Sequence, residues 1–79
     1  MNEIIKREIE NMKNNIVQLR KDYRLSKKQM TKIMGIGIKS FNKIENGEIP
    51  PKMKADVLFN IEEYFGITPV KLFSDWNNK

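Results

Sequence analysis

The 79-residue sequence contains no cysteine and no histidine. Without these residues the chain cannot form a disulfide, a thiol nucleophile, a Cys/His zinc site or a Ser-His-Asp triad. The acidic residues lack paired-carboxylate and calcium-loop spacings, and Gly35 and Gly37 lack the rest of a phosphate-binding fingerprint. We therefore expect no enzyme, no metal site and no cofactor.

Long hydrophobic stretches are also missing from the sequence. No apolar run approaches the roughly 18 residues of a transmembrane helix, and residues 1–13 lack the apolar region of a signal peptide. We expect a cytoplasmic protein with no membrane partner. A chain this short buries only about 60% of its unfolded surface, so we also expect one domain, residues 1–79, with a small core.

Positive charge is present in excess, and it is unevenly distributed. The net charge is +5, yet residues 20–46 alone hold eight basic and two acidic side chains. Residues 1–19 hold three of each sign, and residues 47–79 hold four basic and five acidic side chains. A run of charge is often only a solvated face, but compositional bias does not explain its concentration in one third of the chain. This concentration favours a polyanionic partner, with nucleic acid ahead of an anionic membrane.

Hydrophobic spacing predicts helices and no strands. Apolar residues at alternating spacings of four and three define one face of a first helix ending near Asp22–Arg24: Ile5, Ile9, Met12, Ile16, Leu19 and Tyr23. Asparagine is a poor helix former, so we expect Asn11, Asn14 and Asn15 to weaken the front half of this helix. The fold class is all-α.

Capping signals delimit the two short helices that follow. Ser26 can cap a helix and Gln29 completes a capping box, which predicts a helix over Lys27–Met34. Gly35 ends this helix because glycine readily adopts a left-handed backbone. After a turn, a third helix is predicted over Ile38–Glu45.

Proline and glycine delimit the rest of the chain. After a proline pair, a fourth helix is predicted from Lys52 or Met53 to Phe65. Thr68 caps a fifth helix that opens at Pro69, where the missing N–H costs nothing.

Two short helices with a glycine turn between them, the second facing outward, are the ingredients of a helix-turn-helix. Three stretches carry a closer likeness: LSKKQMTKIMGI at 25–36, FNKIENG at 41–47 and ITPVKLF at 67–73. Apolar side chains occupy the inward positions of these stretches: Met30, Met34, Ile36, Phe41 and Ile44. Over residues 15–73 the chain resembles the lambda-repressor-like Cro/repressor (XRE) family.

The resemblance implies a compact five-helix DNA-binding domain over residues 15–73, with its helix-turn-helix at 27–46. Residues 1–14 then extend the first helix, and residues 74–79 form a tail. This chain departs from the family at Lys27, Thr31 and Gly37, where Gln, Ala and Ser or Thr are common. We expect Thr31 to pack acceptably and Gly37 to leave the third helix without a side-chain cap, and the stretch 48–54 is longer than usual.

The third helix carries the candidate base-reading residues. At about 100° per residue, Phe41 and Ile44 point inward, and the opposite arc holds Ile38, Lys39, Asn42, Lys43 and Asn46. Lys39 can donate to guanine, Asn42 can pair with adenine through two hydrogen bonds, and Ile38 can contact a thymine methyl. Taken alone, exposed Asn and Lys are more often only solvated. Ile38 could instead cover Met34 or belong to a protein interface.

Five further side chains are candidate phosphate contacts. Lys43 and Asn46 lie near the end of the third helix. Lys27 and Lys28 stand beside the free N–H groups at the start of the second, with Arg24 just ahead of them.

The resemblance implies a bacterial or phage transcription regulator, in the form of a repressor. Such a homodimer binds double-stranded DNA at a palindromic operator, with its recognition helices about 34 Å apart. It would act by steric exclusion or by contact with RNA polymerase. Two dimer surfaces remain open: the C-terminal segment around Leu72, Phe73 and Trp76, or the front of the first helix with Ile5, Ile9 and Met12.

Two other functions also remain open. One is a protein-interaction module, such as an antitoxin that neutralises a toxin and uses the same domain for autoregulation. The other is a helix-turn-helix that no longer binds DNA, which Gly37 and Ile38 suggest.

Overall fold

The first helix, α1, spans Glu3–Asp22 in the computed structural model, which describes residues 2–50 and 53–76. The Asn2 side chain caps it by accepting a hydrogen bond from the Ile4 N–H at 2.7 Å. The helix runs unbroken through the three asparagines expected to weaken its front half. Its middle is covered by the rest of the molecule, and the buried apolar residues there are Met12, Ile16 and Leu19.

The two ends of the predicted apolar face of α1 are not covered. Ile5 is 51% exposed and Tyr23 is 50% exposed. A helix of 20 residues is about 30 Å long, and the largest extent of the molecule is 31 Å. The first turns of α1 therefore lie at the edge of the molecule, whereas Tyr23 sets its ring edge-on against Phe65, with 4.8 Å between centroids.

Two eight-residue helices follow with the predicted bounds, α2 over Lys27–Met34 and α3 over Ile38–Glu45. The predicted capping box is present, because Gln29 N donates to Ser26 Oγ at 3.1 Å and Ser26 N donates to Gln29 Oε1 at 2.8 Å. Gly35 ends α2 with a φ of 75°, as its left-handed conformation requires.

The fourth helix, α4, spans Ala55–Phe65, so the predicted start at Lys52 or Met53 is wrong. Met53 N donates to Pro50 O at 3.1 Å, which closes a turn instead of opening a helix. Lys54 is extended, with a φ of −111°, and forms the N-cap of α4. Lys52 itself lies outside the described residues.

The last helix, α5, is the single turn Pro69–Leu72, capped by Thr68 as predicted. It is held against α1 by side chains for which the sequence indicated no such role. Asn15 Nδ2 donates to the carbonyl oxygens of Leu72 at 2.7 Å and Ser74 at 2.8 Å, and Asn11 Nδ2 donates to that of Phe73 at 3.1 Å. These bonds satisfy carbonyl groups that a helix end leaves without partners.

Every regular element in the described residues is a helix, and all five contribute to one core. α2 packs against α3 and α4, and α1 packs against α3 and α5. The radius of gyration is 11.8 Å, close to the roughly 12 Å expected for a folded chain of this length. The buried hydrophobic residues are Met12, Ile16, Leu19, Met30, Met34, Phe41, Ile44, Val57, Ile61, Phe65 and Leu72. None of the helices in the described part of the chain has the length and hydrophobicity needed to cross a membrane.

Candidate nucleic-acid interface

The outer face of α3 carries the three residues that the sequence assigns to base reading. Phe41 and Ile44 are fully buried and hold the inner face against the core. Lys39 and Asn42 are exposed on the other side, and Ile38 at the first position is 49% exposed. The predicted orientation of α3 is therefore confirmed, and about half of the Ile38 side chain is open to solvent.

The start of α3 has no side-chain cap, as expected for Gly37. Its φ of −80° and ψ of 166° are extended values that any residue adopts. No atom lies within 4 Å of the position that a Cβ would occupy on Gly37. A Ser or Thr would therefore fit here, so glycine is not required by space or by backbone conformation.

The candidate phosphate contacts lie at the start of α2 and at the end of α3. Arg24, Lys28, Lys43 and Asn46 are exposed. Arg24 has a φ of 54°, an uncommon value outside glycine, and Leu25 N donates to Arg20 O across this bend at 2.9 Å. The bend turns the chain from α1 into α2 and places Arg24 just before the second helix.

A single carboxylate connects the ends of three helices. Glu45, at the end of α3, lies 3.2 Å from Lys27 Nζ at the start of α2. Its other oxygen lies 3.7 Å from Arg20 Nε near the end of α1. The Glu45 side chain is only 16% exposed, so this pairing is screened less than one on the open surface. Glu45 thereby fixes the end of α3 relative to α1 and α2.

This pairing changes the role of one predicted phosphate contact. The Lys27 side chain is 52% exposed and can still reach solvent, but Glu45 already pairs with its ammonium group. Arg20 Nε has no hydrogen-bond partner among the described residues, although Arg20 Nη1 donates to Leu25 O at 3.3 Å. One sign of this cluster is visible in the sequence, because Glu45 is one of only two acids among eight bases in residues 20–46.

The turn between α2 and α3 is braced from α4, by a residue that the sequence pattern did not single out. Asn60 Nδ2 donates to Met34 O at 3.0 Å. A Cβ on Gly35 would lie 2.9 Å from the same nitrogen. Glycine is favoured at position 35 by its positive φ, and a Cβ there would also force the Asn60 side chain to shift. Asn60 directly precedes the buried Ile61, and a polar residue beside a core position was the available signal.

Thr31 packs as expected despite its departure from the resembled family. It is 8% exposed, and its hydroxyl donates to Lys28 O at 2.7 Å. Because that polar group has a partner, its burial leaves no hydrogen bond unsatisfied.

The helix α4 carries three acidic side chains and no basic one. The exposed surface of α4 carries Asp56 and Glu63, with Glu62 half-buried between the exposed aromatic residues Phe59 and Tyr64. By contrast, α2 carries three basic side chains and no acidic one, whereas α1 carries both signs. No group of three or more acidic side chains within the described ranges is arranged to hold a metal ion.

Each of the two candidate dimer surfaces includes a residue that is buried in the core of the chain. Met12 and Leu72 are fully buried within the chain and cannot contact a partner. Ile5 remains exposed, and Ile9, Phe73 and Trp76 are half-buried.

Comparisons of the chain with models of known protein families, with curated proteins and with solved structures found no match.

Proposed function

We propose that this protein is a sequence-specific, double-stranded DNA-binding protein with a lambda-repressor-like helix-turn-helix, formed by α2 and α3. It acts in the cytoplasm as a small transcription regulator, most simply a repressor. The observation that carries the proposal is the division of α3 into two faces. Phe41 and Ile44 anchor the helix with full burial, and Lys39 and Asn42 stand exposed on the opposite face.

The dimensions of α3 suit a major groove. Eight residues make a helix about 12 Å long, and the groove of B-DNA is about 12 Å wide and admits an α-helix. In this arrangement Asn42 pairs with adenine, Lys39 donates to guanine, and Ile38 contacts a thymine methyl. The inner face keeps its contacts with the core, so binding requires no rearrangement of the domain.

Phosphate groups would be gripped from the two ends of the motif. Lys28 and Arg24 stand at the start of α2, where the helix dipole and unpaired N–H groups also favour an anion. Lys43 and Asn46 stand at the end of α3. The Lys27–Glu45 ion pair, at 3.2 Å, joins the start of α2 to the end of α3. It would therefore set the spacing between the two groups of phosphate-binding side chains.

One recognition helix reads only a few base pairs, and this supports binding by two copies. Three base-reading side chains on one helix can define only a few base pairs, each worth about 1–3 kcal/mol of discrimination. Two copies on a palindromic operator double the number of contacts and place two recognition helices one DNA turn apart. Repression would then follow from steric exclusion or from contact with RNA polymerase.

The direct test is selection of bound sequences from a random pool of double-stranded DNA. We expect enrichment of a palindrome and binding that weakens steeply with salt. The three cations Arg24, Lys28 and Lys43 in each copy would neutralise about six phosphates for a dimer, which predicts a log–log slope of about −5. A pool that shows no enrichment, together with a slope near zero, would contradict the proposal.

A second candidate is a protein-interaction module, such as an antitoxin. The exposed aromatic residues of α4 favour it, because Phe59 is 60% exposed and Tyr64 is 54% exposed. Aromatic side chains on a charged surface are typical anchors of protein interfaces. A stoichiometric complex with a toxin that Phe59→Ala dissociates would support this function. Its presence alongside an enriched DNA palindrome would indicate that both functions operate.

A further inference from the structure

An apolar surface lies at the end of the molecule where α1 begins. Ile5 on α1 is 51% exposed, and Ile49 in the segment after α3 is 45% exposed. Ile9, one turn after Ile5 on α1, is half-buried. A groove of about 430 Å³ separates α1 from that segment, and its lining residues are Lys6, Ile9, Glu10, Gly47, Glu48 and Ile49. Isoleucines line this groove, and charged side chains surround them.

The opposite side of the same helix front bears a second groove. It has a volume of about 500 Å³ and is lined by Glu8, Pro69, Val70, Phe73 and Ser74. Val70 is 84% exposed, the most exposed of the large hydrophobic residues in the described chain. The front of α1 is therefore flanked by apolar residues of two other segments. Exposed apolar side chains with charged neighbours are typical of a protein interface.

We propose that a second copy of this chain covers this surface, with the two α1 fronts antiparallel. Ile5 of each copy enters the groove between Ile9 and Ile49 of the other. The inference rests on the proposed function in one respect, since binding at a palindrome requires a twofold pair.

The charges on α1 select a second copy as the occupant. Glu3, Lys6, Glu10 and Lys13 follow one another at spacings of three and four, so they form one row along the helix. The row alternates acid, base, acid and base. In an antiparallel second copy the order is reversed, so each acidic side chain faces a basic one. An antiparallel copy therefore sets Lys6 opposite Glu10 and Glu3 opposite Lys13, and the arrangement is repeated by the twofold axis.

Ion pairs within the chain involve only part of this row of charged side chains, so the rest can pair with a second copy. Lys13 pairs with Glu10 at 2.9 Å. Among the described residues, Glu3 and Lys6 form no ion pair, and both are exposed. Residues 1–19 carry no net charge, so two copies meet here without the repulsion that the basic residues 20–46 would cause.

A stable dimer buries more area than the front of α1 offers, so the proposed interface includes apolar residues on both sides of this helix. A standard interface buries about 800 Å² on each partner. The accessible surface of the chain is 5690 Å², so the interface would take about one seventh of it. The Ile5 and Ile9 side chains alone are too small for this, and Ile49 and Val70 extend the apolar surface on either side.

The absence of cysteine from the natural chain allows a direct test by cross-linking. We introduce Ile5→Cys and Ile49→Cys together and oxidise the purified protein mildly. A disulfide requires Cβ atoms about 3.5–4.5 Å apart, so the proposed packing predicts a covalent dimer. The control pair, Ile5→Cys with Phe59→Cys, should remain uncross-linked. Equal cross-linking of both pairs, or a disulfide only within one chain, would overturn the proposed packing.

Sedimentation equilibrium of the unmodified chain and of two glutamate variants gives the second measurement. Ile5→Glu should raise the dimer dissociation constant roughly ten- to hundredfold, because two isoleucines lose their burial. Phe59→Glu introduces the same side chain at a similarly exposed position on α4 and should leave the constant unchanged. A parent chain that stays monomeric, or equal weakening by both variants, would overturn the interface.

Binding to a DNA half-site separates this interface from the proposed function. Ile5→Glu should bind a single half-site like the parent and lose the tighter binding to the full palindrome. A monomeric parent that still selects a DNA sequence would overturn only the interface. A dimer disrupted by Ile5→Glu, in a chain that selects no DNA sequence, would support the interface and contradict only the DNA-binding function.

Discussion

α2 and α3 have the same length but are stabilised by different kinds of interaction. α2 begins with a full capping box, in which Ser26 and Gln29 exchange two hydrogen bonds. α3 begins at Gly37 with no side-chain cap, and it ends at Glu45, whose carboxylate pairs with side chains of α1 and α2. Helices of eight residues are too short to be stable alone. Local signals help to hold α2, whereas α3 depends more on its contacts with the other helices.

This difference matters for the proposed function, because α3 is the helix that would enter DNA. A recognition helix needs a fixed position and a free outer face. Burial of Phe41 and Ile44, together with pairing of Glu45, fixes α3 from within and from one end. Its outer face therefore remains available for base contacts.

The largest expected effect comes from removing the inner anchor of α3. Phe41→Ala should cost about 3–5 kcal/mol of unfolding free energy, because it leaves a cavity where a fully buried ring packs. A domain of this size has only about 4–12 kcal/mol in total, so we expect the melting temperature, followed by circular dichroism, to fall by at least about 12 °C. Phe59→Ala on exposed α4 is the matched control. A parent-like melt for Phe41→Ala would mean that α3 is anchored elsewhere.

The second prediction concerns the carboxylate at the end of α3. Glu45→Gln should cost about 1–3 kcal/mol of unfolding free energy, since Arg20 and Lys27 both lose a charged partner that is mostly buried. Urea unfolding measures this loss. Glu48→Gln, three residues further on and exposed, should have little effect. Equal stability of the two variants would show that Glu45 does not hold α3 in place.

The third prediction distinguishes base reading by α3 from phosphate binding by α2. Asn42→Ala should lose about 1–3 kcal/mol on the preferred operator and relax its preference at one base pair in each half-site. Lys28→Ala should weaken binding to all sequences alike and flatten the salt slope by about one unit for each phosphate that is no longer neutralised. Fluorescence anisotropy on operator and random DNA measures both effects. Both side chains are exposed, so melting temperatures should barely change.

The result that would reject this division is equal weakening of operator and random DNA by Asn42→Ala. In that case Lys39 or Ile38 becomes the better candidate for the base reader. Lys27→Ala is less informative than Lys28→Ala, because it also releases Glu45.

A smaller effect is expected at the cap of α2. Ser26→Ala should cost about 1 kcal/mol, because the N–H of Gln29 loses its acceptor. Ser40→Ala, at a half-buried serine within α3 that caps no helix, is the control and should cost less. A comparable loss in both variants, measured by urea unfolding, would argue against a special role for the cap.

The smallest expected effect is a gain at the start of α3. Gly37→Ser should stabilise the domain by a few tenths of a kcal/mol, because serine supplies the missing acceptor and has room to fit. Gly37→Ala fits equally well but cannot cap, so it should not reproduce the gain. If alanine stabilises as much as serine, the gain comes from reduced freedom of the unfolded chain instead of capping.

Local features of the sequence by themselves determined the helical class and the bounds of α2 and α3. The capping box, the glycine that ends α2 and the 3.6-residue period all act within a few residues. The same period is enough to identify the buried side chains of α3 and its exposed outer arc. The predicted start of α4 is two or three residues too early, because the backbone is still extended at Lys54, which forms the N-cap. The family resemblance and the DNA contacts remain predictions.

Only the tertiary structure decided how the helices are held together. Asn11 bonds to a carbonyl 62 positions away, and Asn60 bonds to one 26 positions away. The Glu45 pairings join three helices in the same manner, and the uncovered Ile5 follows from where the body of the molecule ends. Helical periodicity can show that a side chain points inward or outward. It does not show what lies opposite, because that depends on packing between segments that are distant in the sequence.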